Sequence, residues 1–517
     1  MLARALSATP WGVDARPVQV EVDVRNGLPQ MQIVGLAHAA VRESRERVRA
    51  AVKNCGFELP PRAVVINLAP ADLPKGGNHL DLAIALALLA AHGHLPEGAL
   101  GNRLLCGELG LDGAVRPVRG ALAVADLARR RGAVEVMVPA ANAAEAAALE
   151  GPRVAGVASL AEAIGHLTGD APLPAAASDA WTGGGADDPA GGAGGPAADL
   201  AEVRGQEVAK RALEVAAAGG HNLLLIGPPG AGKTMLARRL PGLLPPLTRA
   251  EAIAVTKIHS LAGERPPDGL VRARPFRSPH PGTSAPGLLG GGPLPRPGEA
   301  SLAHNGVLFL DELPEFRRDA LEGLRQPLEE GRVTVVRARA RLEFPARFAL
   351  LAAMNPCPCG HLGDPRRDCR CPPPLVERYR GRVSGPLLDR IDLHVEVPAV
   401  TLGELRGGPG ERSEAVAARV AAAREIQLGR FGRGGPSPVN AAMGPETVRR
   451  SCPLGAAAQA LLDAAFERLG LSARAVHRIL KVARTLADLA GADRLSAAHV
   501  AEAIQYRSLD RRVVEAW

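Results

Sequence analysis

The 517-residue sequence predicts an α/β fold in which a parallel sheet lies between an α+β domain and a helical C-terminal part. Three observations support this prediction. Apolar strand patterns and helical patterns alternate through residues 200–400, as a parallel sheet requires. Beyond residue 401 the patterns are helical only. Residues 172–199 are rich in Gly, Ala, Pro and Asp and lack apolar periodicity, which predicts a flexible linker.

These observations predict four segments along the chain. They are an α+β domain over 1–171, the linker over 172–199, a core over 200–400 and a helical lid over 401–517.

In the first domain, alternating valines at 18–24 predict a half-buried strand. Asn26-Gly27 and the apolar run at 31–34 then predict a β-hairpin with that strand. In the core, residues 200–218 predict a helix, and the apolar runs at 221–226 and 307–310 predict buried strands.

Composition narrows the class of protein without fixing its function. The formal charge of +8 and the sequence pI of about 9.4 are compatible with binding to nucleic-acid phosphates. The most apolar run, residues 80–91, contains Asp81 and is too short to span a bilayer, and the N-terminus lacks the apolar core of a secretion signal. We therefore expect a cytoplasmic protein, whose seven cysteines are thiols or metal ligands rather than disulfides.

The strongest motif is a phosphate-binding loop of the form G-x-x-x-x-G-K-[ST], between a predicted strand and a predicted helix. It consists of Gly227, Pro228, Pro229, Gly230, Ala231, Gly232, Lys233 and Thr234. Glycines let backbone N–H groups wrap phosphates at a helix N-terminus. The Lys233 ammonium would meet the β- and γ-phosphates of ATP, and the Thr234 hydroxyl would bind Mg²⁺.

Three polar residues at the ends of later strands complete the predicted site. Asp311 follows four apolar residues and can hold Mg²⁺ through its water shell, while Glu312 can polarise the attacking water. Asn355 ends another apolar strand, where its amide could reach between these carboxylates and the γ-phosphate. The sequence therefore predicts ATP hydrolysis.

Two arginines are identified by resemblance to AAA+ ATPases, in which Asn355 holds the position of the sensor asparagine. Residues 387–392, LLDRID, resemble the L-L-x-R-F-D segment of magnesium-chelatase and replicative-helicase subunits, so Arg390 corresponds to their arginine finger. The alternative is a surface arginine paired with Asp389 or Asp392. Residues 471–474, LSAR, match the second sensor, which makes Arg474 the candidate and Arg478 its alternative. A finger that acts on a neighbouring subunit implies a ring, of six subunits by resemblance.

The chain as a whole resembles the ComM/YifB family of magnesium-chelatase-like AAA+ ATPases. The matching stretches include PQMQIVGL, INLAPADLPK, GPPGAGKTMLARRL, SLAHNGVLFLDELPEF and SGPLLDRIDLHVEVP. The resemblance implies a homo-hexameric motor that acts on DNA, with helicase activity and branch migration in recombination or natural transformation. One departure is His280, a single histidine where the family shows two in a loop that faces the ring pore.

The first domain is similar to the proteolytic domain of Lon but lacks its catalytic pair. His79 stands where the Lon serine would be, and Leu122 stands at the position of its lysine. Without a nucleophile and a general base, no acyl-transfer site is expected.

Four cysteines form two C-x-C pairs in one short loop, and they are Cys357, Cys359, Cys369 and Cys371. Four thiolates can close a tetrahedral Zn²⁺ site. The spacing differs from the commoner C-x-x-C pair, so free thiols or a redox loop remain alternatives.

Residues 331–344, GRVTVVRARARLEF, predict a β-hairpin. Arg337, Arg339 and Arg341 alternate, so an extended segment would place them on one face. The family resemblance implies that this hairpin enters the ring pore, where the arginines would contact DNA phosphates. The alternative is a solvated charged face.

Two other functions compete with a DNA motor. One is the ATPase subunit of a magnesium chelatase. We expect the first domain to argue against this function, because such a subunit would resemble only the C-terminal part of the chain. The other is an ATP-driven protein remodeller, whose pore loops generally present an aromatic residue that does not stand out in this sequence.

Overall fold

A computed structural model describes residues 1–35, 39–177, 198–264, 269–292, 295–337, 340–364, 366–432 and 439–507. It confirms the predicted fold class, an α/β protein with a parallel sheet and a helical C-terminal part.

The described residues of the first part, 1–35 and 39–177, form nine strands and five α-helices. Its strands are β1 (Leu2–Trp11), β2 (Asp14–Arg25), β3 (Gln30–Val34), β4 (Ala63–Ala69), β5 (Arg103–Leu105), β6 (Glu108–Leu109), β7 (Val115–Arg116), β8 (Glu135–Pro139) and β9 (Arg153–Val157). Its helices are α1 (Ala39–Asn54), α2 (Asp81–Ala91), α3 (Ala121–Arg130), α4 (Ala143–Ala147) and α5 (Leu160–Thr168).

Seven of these strands form one mixed sheet in the order β3-β4-β2-β1-β5-β8-β9. The predicted hairpin between β2 and β3 is wrong, because β4 inserts between them and pairs antiparallel with β2 and parallel with β3. The tight hairpin joins β1 to β2 instead, with Gly12 in the left-handed region at φ 63°. Glycine reaches that conformation without a steric penalty.

The middle part contains the second sheet. Its strands are β10 (Leu223–Ile226), β11 (Phe276–Arg277), β12 (Gly290–Gly291), β13 (Arg296–Pro297), β14 (Val307–Leu310), β15 (Arg332–Arg337), β16 (Ala340–Pro345), β17 (Ala349–Met354) and β18 (Leu393–Glu396). Its helices are α6 (Glu207–Gly219), α7 (Lys233–Ala237), α8 (Leu240–Leu243), α9 (Arg249–Ala262), α10 (Ala285–Leu289), α11 (Glu299–Leu302), α12 (Arg318–Gly323), α13 (Arg325–Glu330), α14 (Pro373–Arg380) and α15 (Gly385–Leu388).

Five strands of this part form a wholly parallel sheet in the order β11-β14-β17-β10-β18. β10, β14 and β17 are short apolar strands whose residues are almost all buried, as expected for a parallel sheet covered on both faces. The predicted helix over 200–218 is shorter than expected. A 3₁₀ turn at Leu200–Glu202 precedes α6, and Gln206 between them has a positive φ of 60°.

The C-terminal part is helical, as predicted. Its helices are α16 (Leu402–Arg406), α17 (Ser413–Phe431), α18 (Pro445–Ser451), α19 (Ala456–Leu469), α20 (Ala473–Leu489) and α21 (Ala497–Gln505). The apolar faces of α17 to α21 share one core with α6 and β10 of the middle part, whereas α16 has no buried residue. Among the described residues, every helix is too short or too polar to cross a bilayer.

Helix α9 joins the first part to the middle part. The Lys257 ammonium lies 2.7 Å from a carboxylate oxygen of Asp126, and the Ser260 hydroxyl accepts a hydrogen bond from the backbone N–H of Gly120 at 2.9 Å. Most of the predicted linker, residues 178–197, lies outside the described residues. The segment just before it still follows the first sheet, because the Ala176 N–H donates to the Val154 carbonyl at 2.8 Å.

A buried polar cluster fastens the lid to the parallel sheet. Asp392, just before β18, pairs with Arg478 of α20, and its other carboxylate oxygen lies 3.3 Å from Nδ1 of His221. Nε2 of His221 lies 2.8 Å from the Thr485 hydroxyl. Burial alone would raise the pKa of Asp392, but the hydrogen bond with His221 and the charge of Arg478 hold it well below its usual range.

We predict that Asp392→Ala lowers the free energy of unfolding by about 3–5 kcal/mol, because His221 and Arg478 would then lack the negative charge with which they pair. Urea unfolding followed by circular dichroism would measure the loss, with Asp389→Ala from the same segment as the control. Because the folded-state pKa is depressed, the difference between the two variants should shrink as the pH falls below about 4, where the unfolded carboxyl protonates. Equal urea midpoints for both variants at neutral pH would refute this role.

Candidate nucleotide site

The phosphate-binding loop begins where β10 ends, and close packing demands glycine at its first position. A Cβ on Gly227 would lie 2.0 Å from the carbonyl oxygen of Val397, so a larger residue would push the loop off the sheet. Gly232 has a φ of 90°, a conformation that glycine adopts readily, and α7 begins at the next residue. The loop therefore presents its backbone at a helix N-terminus.

Lys233 lies folded into this loop. Its Nζ donates hydrogen bonds to the carbonyls of Gly227 at 2.6 Å and Pro228 at 2.9 Å, and to Oδ1 of Asn355 at 3.1 Å. Burial lowers the pKa of the ammonium, while the charges of Asp311 and Glu312 oppose that shift. The side chain thus lies among the groups predicted to surround the phosphates.

Thr234 and Asp311 supply the oxygens for a metal ion. The Thr234 hydroxyl donates to Oδ2 of Asp311 at 2.7 Å. Hydroxyl and carboxylate oxygens are ligands that Mg²⁺ prefers, so the donor set fits the predicted ion.

Glu312 follows Asp311 in a strained conformation, with φ 52° and an exposed side chain. Its backbone N–H donates to Oδ1 of Asp311 at 2.9 Å. Non-glycine residues in the left-handed region cluster at functional sites, where surrounding structure must hold them. The geometry leaves the Glu312 carboxylate accessible to water beside Thr234 and Asp311, the predicted metal ligands.

The sheet topology explains why residues so far apart in sequence meet. β14, β17 and β10 are parallel neighbours, and Asp311, Asn355 and Gly227 each follow one of these strands. The carboxyl ends of parallel strands share one edge, which is where α/β sheets bind ligands.

The sequence prediction missed Gln206, which braces this loop. Its side-chain amide donates to the carbonyls of Ala231 at 3.3 Å and Pro398 at 2.6 Å. The sequence signal was Gly205-Gln206 before a helix, two residues that both have positive φ.

Arg390 lies at the opposite end of the parallel strands, where their amino ends meet. It precedes β18, and its carbonyl accepts a hydrogen bond from the side chain of Asn222, which precedes β10. β10 has four residues. At roughly 3.3 Å per residue, the amino and carboxyl ends of the strand are about 13 Å apart. The Arg390 side chain contacts Glu329 and the Pro386 carbonyl, rather than Asp389 or Asp392.

The two lid arginines differ in their surroundings. Arg474 is exposed at the first turn of α20 and makes no ion pair within the described part of the chain. Arg478 is committed to Asp392 in the lid–sheet cluster. Of the two, only Arg474 has a guanidinium free to meet a nucleotide.

The four predicted cysteine ligands converge. Their sulfur atoms all lie within 4.8 Å of one another. Sγ of Cys357 lies 3.4 Å from Sγ of Cys359 and 3.6 Å from that of Cys369, and the Cys359–Cys369 distance is 3.7 Å. The group, which Cys371 completes, could hold a metal ion.

The predicted hairpin is present as β15 and β16, but the three arginines do not lie along one strand. The backbone register pairs Arg337 with Ala340 and Val336 with Arg341 across the turn. Arg341 is exposed and lies 3.4 Å from a carboxylate oxygen of Glu343. Arg339 lies outside the described residues.

The Lon-like positions hold no visible catalytic pair. His79 is buried, which lowers its pKa to about 4, and Leu122 lies in an apolar cluster. His280 is exposed, and its Nδ1 accepts a hydrogen bond from the Gly282 N–H at 3.0 Å.

We predict that Glu312→Gln lowers kcat for ATP hydrolysis by about 10²–10⁴-fold, the usual contribution of a general base. Affinity for ADP should stay close to that of the unaltered chain, because Glu312 is not part of the phosphate loop. Phosphate release and fluorescent-ADP titration would separate the two effects. Glu315→Gln, which removes an exposed carboxylate that pairs with Arg382, is the control. Equal kcat values for both variants would remove Glu312 from the reaction.

Comparison with known sequences gives consistent matches. Three family models match parts of the chain. The model described as "Magnesium chelatase, subunit ChlI" matches residues 199–405, and the one described as "Magnesium chelatase, subunit ChlI C-terminal" matches residues 410–507. A third, described as "Subunit ChlI of Mg-chelatase", matches residues 20–142. The predicted first domain, residues 1–171, therefore also matches a ChlI family model. We expected this domain to argue against a chelatase subunit, and the match shows that it does not.

Relatives match over nearly the whole chain. Competence protein ComM of Haemophilus influenzae is 44% identical over 512 residues, which cover 99% of this chain and 98% of that protein. The uncharacterized protein YifB of Escherichia coli is 45% identical over 510 residues, 97% of this chain and 96% of its own. An uncharacterized protein of Mycobacterium tuberculosis is 45% identical over 513 residues, 99% of each.

These matches agree with the geometry of the site. An AAA+ ATPase of the magnesium-chelatase type uses ATP and Mg²⁺, and the phosphate loop with Asp311 and Thr234 supplies groups that suit both. The chain belongs to the ComM/YifB family of magnesium-chelatase-like AAA+ ATPases.

Proposed function

We propose that this protein is a homo-hexameric, ATP-driven motor that acts on DNA in the cytoplasm, with helicase activity and branch migration in recombination or natural transformation. The observation that supports the ring is the separation of Arg390 from the phosphate loop, at opposite edges of the parallel sheet.

Within one subunit, each polar group has a distinct task. Lys233 would exchange its carbonyl partners for the β- and γ-phosphates, and Thr234 with Asp311 would hold Mg²⁺, which would supply positive charge beside the phosphates. Glu312 orients the attacking water. Asn355, already bonded to Lys233, senses the γ-phosphate.

The remaining positive charge comes from a neighbouring subunit. Arg390 cannot reach the phosphate loop of its own chain across the sheet, but in a ring the edge that bears it faces the next site. There its guanidinium stabilises the charge of the transition state. Arg474 of the lid is the second arginine in this proposal, and it belongs to the same chain as the loop.

Three observations support DNA as the substrate. The chain has a net charge of +8. The β15–β16 hairpin carries Arg337 at the end of β15 and an exposed Arg341 in β16. The relative from Haemophilus influenzae is called a competence protein. Each cation that meets a backbone phosphate releases counterions, which favours binding at low salt.

The proposal also includes Zn²⁺ in the group of four cysteines, because four converging thiols suit that ion. The magnesium-chelatase subunit and the protein remodeller are the alternative functions, and the DNA experiment below separates them from a DNA motor.

We predict that Arg390→Ala and Lys233→Ala each lower ATP hydrolysis about 10³-fold, the lower end for an arginine finger. Mixing the two variants should restore activity, since an intact site can then meet an intact finger. Random mixing in a closed ring makes about a quarter of the interfaces competent. Phosphate release measures the recovery.

The control for this mixing experiment is Arg378→Ala, which removes an exposed arginine of the same region and should keep full activity alone. If the mixture of Arg390→Ala and Lys233→Ala stays as inactive as its components, Arg390 does not act between subunits.

We predict that four-way-junction DNA stimulates ATP hydrolysis more than duplex DNA or unfolded protein does. Arg341→Ala should weaken this stimulation and reduce the salt dependence of DNA binding, because one phosphate contact is lost. Arg131→Ala removes the same charge from an exposed site in the first part and is the control. Stimulation by unfolded protein alone would favour the remodeller, and indifference to both would favour the chelatase-type subunit.

A further inference from the structure

We propose that the four-cysteine loop is a zinc-dependent support of the nucleotide site, so that ATP hydrolysis requires the metal although no cysteine touches the nucleotide. The proposal rests on the ATPase part of the proposed function and not on DNA as the substrate. It concerns Cys357, Cys359, Cys369 and Cys371 together with Gly360.

The sulfur positions fit a tetrahedral ion. Zn–S bonds of about 2.3 Å at tetrahedral angles separate neighbouring sulfurs by about 3.8 Å. Three of the sulfur pairs lie 3.4, 3.6 and 3.7 Å apart and all four sulfurs lie within 4.8 Å of one another, so the loop is close to the required geometry. Four protein ligands leave no open position on the ion, which is typical of a structural rather than a catalytic site.

Apart from hydrogen bonds of His361 and Arg366 to Asp364 and of Arg366 to the Val400 carbonyl, the loop has little else to hold its shape. Among its described residues from 361 to 372 none is buried, and its one large apolar side chain, Leu362, is 38% exposed. A segment without an apolar core needs another source of folding energy, and metal binding supplies it in such cases. The ordered loop therefore depends on the cysteines.

This loop contacts the nucleotide site at two points. Gly360 lies directly against the phosphate loop, since a Cβ at this residue would come within 2.5 Å of Cδ of Pro229. Its N–H donates to the carbonyl of Cys357 at 3.0 Å, so the metal group fixes its position. Cys357 itself is buried two residues after Asn355, whose amide contacts Lys233.

Losing the metal would therefore free both supports at once. The phosphate loop would lose its contact at Pro229, and Asn355 would lose the anchored segment that follows β17. Groups that orient a reacting site from outside it typically change activity by about 10–100-fold when removed.

The first experiment removes the ion from the full-length protein. Zinc content is measured by plasma mass spectrometry before and after treatment with a zinc-selective chelator, with Mg²⁺ kept constant and DNA absent. We expect one Zn²⁺ per chain, a loss of basal kcat of about tenfold or more on its removal, and recovery when Zn²⁺ returns. Cys369→Ser should behave like the stripped protein, and Cys55→Ser, outside the loop, should not.

The second experiment breaks the contact but keeps the ion. Gly360 and Gly363 have similar positive φ angles, 83° and 79°, so alanine strains the backbone similarly at both. Only Gly360→Ala meets Pro229, because nothing lies within 4 Å of a Cβ at Gly363. We expect both variants to retain zinc, while Gly360→Ala alone loses about tenfold or more in kcat/KM for ATP.

The outcomes are separable. A chain without zinc as purified and after Zn²⁺ addition overturns the metal site. A chain that binds zinc but hydrolyses ATP equally well without it, or equal activity of Gly360→Ala and Gly363→Ala, overturns the support. Failure of DNA to stimulate hydrolysis would count against the DNA motor and leave this inference unaffected, because zinc content and ATP hydrolysis are both measured here without DNA.

Discussion

The nucleotide site depends on the parallel pairing of β10 with β17 and β18 and of β17 with β14. Parallel strands bring all their carboxyl ends to one edge and all their amino ends to the other. The first edge collects the phosphate loop, Asp311 and Asn355, while Arg390 falls at the second. The same pairing that completes one half of the site thus keeps Arg390, the proposed arginine finger, away from the phosphate loop of its own chain.

The sequence was sufficient for the fold class and for the residues of the phosphate loop, because both follow from local patterns. A strand, a glycine loop and a helix are contiguous, so the contacts of Lys233 with Gly227 and Pro228 arise within seven residues. Asp311 and Asn355 could be predicted because each directly ends an apolar strand. Motif spacing could give their identity, but only the strand order brings them together.

Long-range pairing explains what the sequence could not predict. Asn26-Gly27 predicted a hairpin between β2 and β3. Instead, β2 pairs with β4, a longer apolar strand that begins about forty residues further along the chain. Periodicity likewise could not show that Arg337 and Arg341 belong to two different strands. Gln206 and Gly360 were missed for a related reason, since their roles are contacts with residues remote in sequence.

Residues 390–392 connect the surface that we propose as the subunit boundary to the lid. Arg390 points toward Glu329 on the outside of the chain, while Asp392, two residues later, is buried against His221 and Arg478 of α20. A shift of this segment cannot move the arginine without straining the buried pair, because a desolvated carboxylate tolerates no loss of partners. Engagement of Arg390 by a neighbouring site would therefore be transmitted to the lid through Asp392. That coupling needs no further element. Asp392 accepts a hydrogen bond from the Asn222 N–H just before β10, β18 pairs with β10, and β10 leads directly into the phosphate loop.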